Sequence, residues 1–232
     1  MDLAYHDDWQ SARRHLEAWW ANDAIDRAAI AVGAPRAKPL PGPHAPPTPQ
    51  DIAQRWLDAE YRVAAADYHM RHTFYGGECL PVWWPNLGPG IAAAYLGVEP
   101  VFAPDTVWFN QHPHDWPNIE PRFAPDNKWW RATLDLIRTA VEASNGNFFV
   151  AVTDIGGMTD IEASLRGTME LLTDLVDVPH GSSASATRSF LCGFAGTRSR
   201  SASFINAWRA PRAGSAHGRR GAPITSSATS AA

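Results

Sequence analysis

Asp154 follows an apolar run, Phe148-Phe149-Val150-Ala151-Val152, and is itself followed by the pair Gly156-Gly157. Such a run reads as a strand. A carboxylate just beyond a strand's C-terminal end is placed to orient or protonate a small molecule, which makes Asp154 the leading catalytic candidate. Its other role would be local, accepting the N–H groups of the glycine turn. Glu78, after Gly76-Gly77, has a comparable setting and is the second catalytic candidate, with an ordinary loop acid as the alternative.

Other groups are weaker sites. His69 and His72 lie near the end of a helical stretch, and His112, His114 and Asp115 cluster in a loop. Either set supplies imidazole nitrogens, but neither has a third partner at a recognised spacing, so they read as surface histidines and no metal site is expected. Three tryptophan pairs, Trp19-Trp20, Trp83-Trp84 and Trp129-Trp130, could stack against a flat ring system or a sugar. In each pair one ring is expected in the core and the other facing a partner. Cys79 and Cys192 are too few and too far apart for a disulfide framework or a structural zinc site.

The elements that must carry these residues alternate. Asp7 and Asp8 precede a helical pattern with Trp9, Ala12, Leu16, Trp19 and Trp20 along one face. Residues 28–32 read as a short buried strand, and the proline-rich stretch 36–47 as a surface loop. Thr48-Pro49-Gln50-Asp51 predicts a helix start with a threonine cap, and the helix runs on to about His72 with Ile52, Trp56, Ala59, Val63, Ala66 and Met70 as its stripe. Residues 80–84 are apolar enough for a strand, and a turn at 86–90 leads into a short helix over 91–96. One or two strand pieces are expected over 101–109, and a long helix over 127–144 has Trp130, Leu134, Ile137 and Val141 inward. Residues 148–152 read as a strand buried on both faces, followed by a helix over about 160–172. This alternation predicts an α/β fold with parallel strands and a ligand site beyond their C-terminal ends.

Composition divides the chain. All 24 acidic residues lie at or before Asp177, while seven arginines lie beyond it; the first part has 13 basic residues and a net charge of −11, and the tail carries +7. Globular composition is confined to residues 1–178, which hold ten of the 11 tryptophans. The first 20 residues are charged and amphipathic, so neither a signal peptide nor a membrane span is expected, and a cytoplasmic location is the default.

Two strings, TFYGGECLPVWWPNLGPGIAAAYLG at 73–97 and TDIGGMTDIEASLRGTMELLTDLVDVP at 153–179, resemble the uroporphyrinogen decarboxylase-like superfamily of TIM barrels. The likeness is to its bacterial branch often labelled by analogy with corrinoid proteins. It covers about residues 9–179 and implies the N-terminal part of a (β/α)8 barrel. The superfamily holds cofactor-free decarboxylases of porphyrinogens and zinc-dependent methyltransferases that serve corrinoids. Several residues depart from those patterns. The arginine-rich signature that grips substrate propionates is missing, with Arg36 as its nearest substitute. Where the decarboxylases carry an essential aspartate, this chain reads Trp84-Pro85-Asn86, so Trp84 and Asn86 become the substrate-binding candidates together with Arg36. The methyltransferases' His-x-Cys pair is absent. The resemblance implies decarboxylation or methyl transfer on a tetrapyrrole, a corrinoid or a small carboxylate. Decarboxylation needs no cofactor, whereas methyl transfer would bring zinc or a corrinoid. The intact parent would be a homodimer. The alternative is a non-catalytic, Trp-lined module that binds a sugar or a corrinoid.

The tail, 179–232, reads as an out-of-frame translation and is expected to be disordered. In this branch the barrel continues with a Trp-Leu-Arg-Trp-Tyr type string and later a strand resembling WAPGR followed by LQCDFS. Shifting the frame joins the last base of each codon to the first two of the next. From Leu191 to Thr197 that frame permits Leu-Trp-Leu-Arg-Trp-Tyr. From His217 to Ala231 it permits Trp-Ala-Pro-Gly-Arg and, after a short spacer, Leu-Gln-Cys-Asp-Phe-Ser. The first base of each shifted codon is open within the degeneracy of the residue before it, and the other two are fixed except at serine and arginine, which have two codon families each. The rival reading, a basic arm for nucleic acid, has arginine without lysine and few stacking groups, Phe190, Phe194, Phe204 and Trp208. The expected partner is a small molecule, with no nucleic acid and no membrane. A closed barrel takes about 250 residues, so the chain as printed is expected to have little or no activity.

Overall fold

Residues 3–110 and 123–177 are described by the computed structural model, and they fall within one compact unit. In chain order they form α1 (Trp9–Trp20), β1 (Ala31–Pro35), α2 (Ile52–Leu57), α3 (Ala59–His72), β2 (Thr73–Gly77), β3 (Val82–Trp83) and α4 (Ile91–Tyr95). There follow β4 (Glu99–Phe102), β5 (Val107–Asn110), α5 (Lys128–Ser144), β6 (Phe149–Val150), α6 (Met158–Arg166) and α7 (Thr168–Asp177). The architecture is mixed helix and sheet. Its strands make three two-stranded sheets and no closed barrel among the described residues.

The expectation of parallel strands holds for one pair. β3 and β6 run parallel, with Val82 opposite Phe149 and Trp83 opposite Val150, and the 65 residues between the two strands hold α4, the β4–β5 hairpin and α5, the long connection that a parallel pair requires. The other two pairs are antiparallel, which corrects that expectation. α3 ends at His72 and Thr73 is already in β2, so the chain enters β2 opposite Pro35, the far end of β1, and must run back along it. β4 and β5 are joined by a tight connection in which Ala103 N–H donates to Thr106 O at 2.9 Å, and a connection that short admits only an antiparallel pair.

Helix boundaries follow cap chemistry more closely than periodicity. The single helix expected through 50–72 is two, because Asp58 takes an extended backbone (φ −72°, ψ 103°) and its carboxylate accepts the Tyr61 N–H, ending α2 and starting α3. α2 is capped by Asp51, accepting from Ala53 N at 2.9 Å, and not by Thr48. An acid inside the apolar pattern is read by periodicity as an exposed helical position, yet a short carboxylate binds free N–H groups best at a helix start. The helix expected over 160–172 starts earlier and divides in the same way at Gly167, whose φ of 105° breaks the run between α6 and α7. α5 matches its predicted span closely, from its Asn127 cap to Asn145 in the left-handed region (φ 43°).

The core centres on α4. Its sequence, Ile-Ala-Ala-Ala-Tyr, is apolar on every side, so it has no face for water, and all five residues are buried. Around it pack Trp83, Leu87, Val98, Leu136, Ala140, Phe148, Ile161 and Leu165. The inward stripe of α5 is Thr133, Leu136, Ile137, Ala140 and Ser144, rotated from the predicted one and sharing only Ile137 with it. The small Ala140 and Ser144 let α5 lie close to its neighbours, and this outweighs the bulk of Leu134 and Val141. α1 buries only Ala12, leaving Trp19 and Trp20 exposed together, their rings 5.9 Å apart.

Candidate site at the ends of the parallel strands

β3 and β6 end side by side, and the segments leaving them, 84–90 and 153–157, touch. Thr153, buried behind the strand end, donates its hydroxyl hydrogen bond to Pro85 O at 3.3 Å. Gly156 has φ of 71°, and a Cβ there would come within 3.0 Å of Pro89 O, so this close approach depends on glycine. Underneath lies Tyr95, 1% exposed, whose hydroxyl shares a hydrogen bond with Thr133 Oγ1 at 2.8 Å. Burial pushes the Tyr95 phenol up to about 12, only partly offset by bonding to Thr133 and Thr153, so it is a neutral hydroxyl at any physiological pH.

Three of the five candidate residues meet here. Trp84, 43% exposed, and Asn86 follow β3; Asp154 follows β6. Asn86 Oδ1 accepts the Gly88 N–H at 3.0 Å and shapes the turn into α4. Asp154 is exposed, with Oδ1 accepting the Gly156 N–H at 2.8 Å, so it does cap the glycine turn, and its second oxygen faces no partner among the described residues. In the Trp83-Trp84 pair one ring is buried and the other exposed, as expected; Trp19 and Trp20 are both exposed, and Trp129 and Trp130 both half-buried.

The other two candidates lie elsewhere. Glu78 follows Gly77, opposite Ala31, and Arg36 follows Pro35, opposite Thr73, so they occupy opposite ends of the β1–β2 sheet. Glu78 is buried at the centre of a network: both its oxygens take the Arg27 fork at 2.8 Å, and Oε2 also accepts the Ile30 N–H at 2.6 Å. The Arg27 hydrogen bonds, aided by Ile30 and by His15, hold its carboxyl at about 2 despite the opposing effect of burial. His15 Nε2 lies 2.9 Å from Asp26 Oδ1, and its Nδ1 lies 3.1 Å from Glu78 Oε1 but off the hydrogen-bonding direction. A carboxylate so fully engaged is a poor proton carrier at neutral pH and a good structural tie. Arg36 Nη1 alone reaches both Asp7 oxygens, at 2.9 Å each, while Nη2 donates to Tyr5 O at 3.0 Å.

Comparisons with protein-family models, with curated proteins and with solved structures give no match.

Among the described residues no group of three metal-ligating side chains comes together, and no helix is long and apolar enough to cross a membrane. His69 is exposed, while the His72 ring lies 4.0 Å from that of Tyr68 and its Nδ1 is 2.7 Å from Tyr68 O. His112, His114 and Asp115 lie outside the described residues, as does the tail. Sequence reading missed Arg62, Thr153 and Tyr95. Arg62 reaches the same strand end from α3, donating to Trp84 O at 3.4 Å and to Trp56 O at 3.1 Å, with its guanidinium carbon 5.4 Å from the Trp83 ring centre. Nothing in a linear pattern joins an arginine to a tryptophan 21 positions later.

Proposed function

We propose that this chain is the N-terminal part of a uroporphyrinogen decarboxylase-like barrel, with a parental activity of decarboxylation or methyl transfer on a tetrapyrrole, a corrinoid or a small carboxylate. The observation that carries the reading is the parallel β3–β6 pair with Trp84, Asn86 and Asp154 just beyond its C-terminal ends. Open α/β sheets and barrels bind ligands at that edge because helix-connected loops converge there. Two parallel strands separated by helical crossovers are compatible with one sector of a barrel.

In decarboxylation the bond from the ring-side carbon to the carboxylate breaks, its electron pair stays on the substrate, and a proton takes the place of carbon dioxide. Asp154 would orient or supply that proton, Trp84 would stack on the substrate, and Asn86 would hydrogen-bond to it. Fixed dipoles at the strand ends would stabilise the developing charge. The methyltransferases' His-x-Cys pair is absent from the sequence, so no residue of this chain is given a part in methyl transfer.

A second reading, a Trp-lined module that binds without turnover, draws on the exposed Trp84 and on the adjacent exposed Trp19 and Trp20. Assaying a frame-restored chain for coproporphyrinogen formation, methyl transfer and ligand-induced tryptophan quenching separates the two. Turnover supports the enzymatic reading, quenching without turnover supports the binding module, and the absence of both contradicts each. The printed chain is expected to give no turnover.

A further inference from the structure

Four arginines among the described residues are not exposed: Arg36, Arg62, Arg71 and Arg166. Arg36 pairs with Asp7, Arg71 with Asp67 and Arg166 with Asp174, at 2.9, 2.9 and 2.7 Å. Arg62 meets no carboxylate among the described residues. Its Nη1 and Nη2 donate to the backbone carbonyls of Trp56 and Trp84, and the longer of the two bonds is 3.4 Å. A guanidinium has five N–H donors, so most of its fork is left for something else. The guanidinium carbon lies over the Trp83 ring, 5.4 Å from its centroid, a cation–π contact that holds the group in place without using its N–H donors. Desolvation alone acts on the charge, lowering the Arg62 pKa to about 10. Taking a cation out of water without an anion is unfavourable, and a charged ligand removes that penalty.

We propose that Arg62 is the anchor for a carboxylate group of the ligand at the β3–β6 strand end, held by the guanidinium edge beside Trp84 and against the Trp83 ring. The inference rests on the strand-end reading above and adds to it a residue that binds the ligand's carboxylate. A carboxylate matches the fork in two parallel hydrogen bonds, which a halide cannot make. Because Trp84 contributes both its exposed ring and the carbonyl that Arg62 holds, the anchor and the stacking surface move together.

The test is a titration of the full chain with succinate at constant ionic strength, followed by tryptophan fluorescence, since Trp83 lies against the cation. A saturable change is expected, with half-saturation raised at least about tenfold in Arg62→Met and by a smaller factor in Arg62→Lys, which keeps the charge but loses the fork. Arg131→Met, an exposed arginine on α5, should titrate as the parent does. The proposal is overturned if the parent shows no saturable change, if either Arg62 variant titrates as the parent does, or if inorganic phosphate saturates at lower concentration than succinate. Circular dichroism checks folding; should Arg62→Met not fold, Arg62→Lys decides. Succinate binding without turnover by the frame-restored chain defeats the enzymatic reading alone. Turnover combined with an unaltered titration in the Arg62 variants defeats this inference alone.

Discussion

Glu78 and Asp154 look alike in sequence, each an acid beside a glycine pair, and the fold gives them opposite surroundings. Glu78 is buried against Arg27 and the Ile30 N–H; Asp154 is exposed on a turn at the strand ends. Position after a strand was legible for Asp154, because the apolar run 148–152 marks it, but not for Glu78, because no apolar run announces β2. The Arg27–Glu78 pair was not, because the two residues lie 51 apart and meet only when β1 docks on β2. Glu78 has its pKa lowered from 4.5 to about 2, so its contribution to stability is complete above pH 4.5 and is lost as the pH falls toward 2. Glu78→Gln should therefore lower stability at pH 7 by about 1–3 kcal/mol, the usual cost of unmaking buried hydrogen bonds to a charged group. It should also flatten the acid limb of the stability curve, measured by urea unfolding between pH 2 and 7. Asp154→Asn, which keeps the turn bond to Gly156, should change stability by under about 0.5 kcal/mol, and in a frame-restored chain it should abolish most turnover if Asp154 supplies or orients the proton.

At the scale of elements, apolar periodicity located helices and strands but not their interruptions. Asp58 and Gly167 divide two predicted helices because one carboxylate caps a new helix start and one glycine takes a positive φ. Both are single-residue backbone choices that a window of apolar spacing averages away. The strand expected at 148–152 shortens to Phe149–Val150, and Val152 is 68% exposed, because among the described residues β6 has a strand neighbour on one edge only. The span of α5 was the most legible of any element, since the apolar repeat begins just after the Asn127 cap, although the face it buries is rotated from the one expected. Asn127 accepts the Trp129 and Trp130 N–H groups and donates to Ala94 O and Tyr95 O, tying α5 to α4. Asn127→Ala should destabilise by about 1–2 kcal/mol, at the upper end for a cap. Asn127→Asp keeps the cap and loses only the donors, so thermal unfolding should place it between the parent and the alanine variant.

Across the whole molecule, residues of globular composition build a core around α4 but leave apolar surface uncovered at the C-terminal end of the described part. Met169, Leu172, Leu175 and Val176 of α7 are between 53% and 79% exposed, and the outer edge of β6 is unpaired among the described residues. Surfaces of that kind are normally covered by further chain, and when bare they promote association. The printed chain should therefore bind a hydrophobic dye and self-associate in light scattering, and restoring the reading frame should reduce both. The same boundary separates the acid-containing part of the sequence from the acid-free tail, which is where the frame is proposed to slip.

The central claim, that the tail is the out-of-frame remainder of a barrel, is tested most directly by the nucleotide sequence from the codon of Asp177 to that of Ala231. An inserted or lost base is expected between the codons of Pro179 and Ser189, with the shifted frame open and reading Leu-Trp-Leu-Arg-Trp-Tyr across Leu191 to Thr197. A stop codon in the shifted frame, or a different string across those codons, would contradict it.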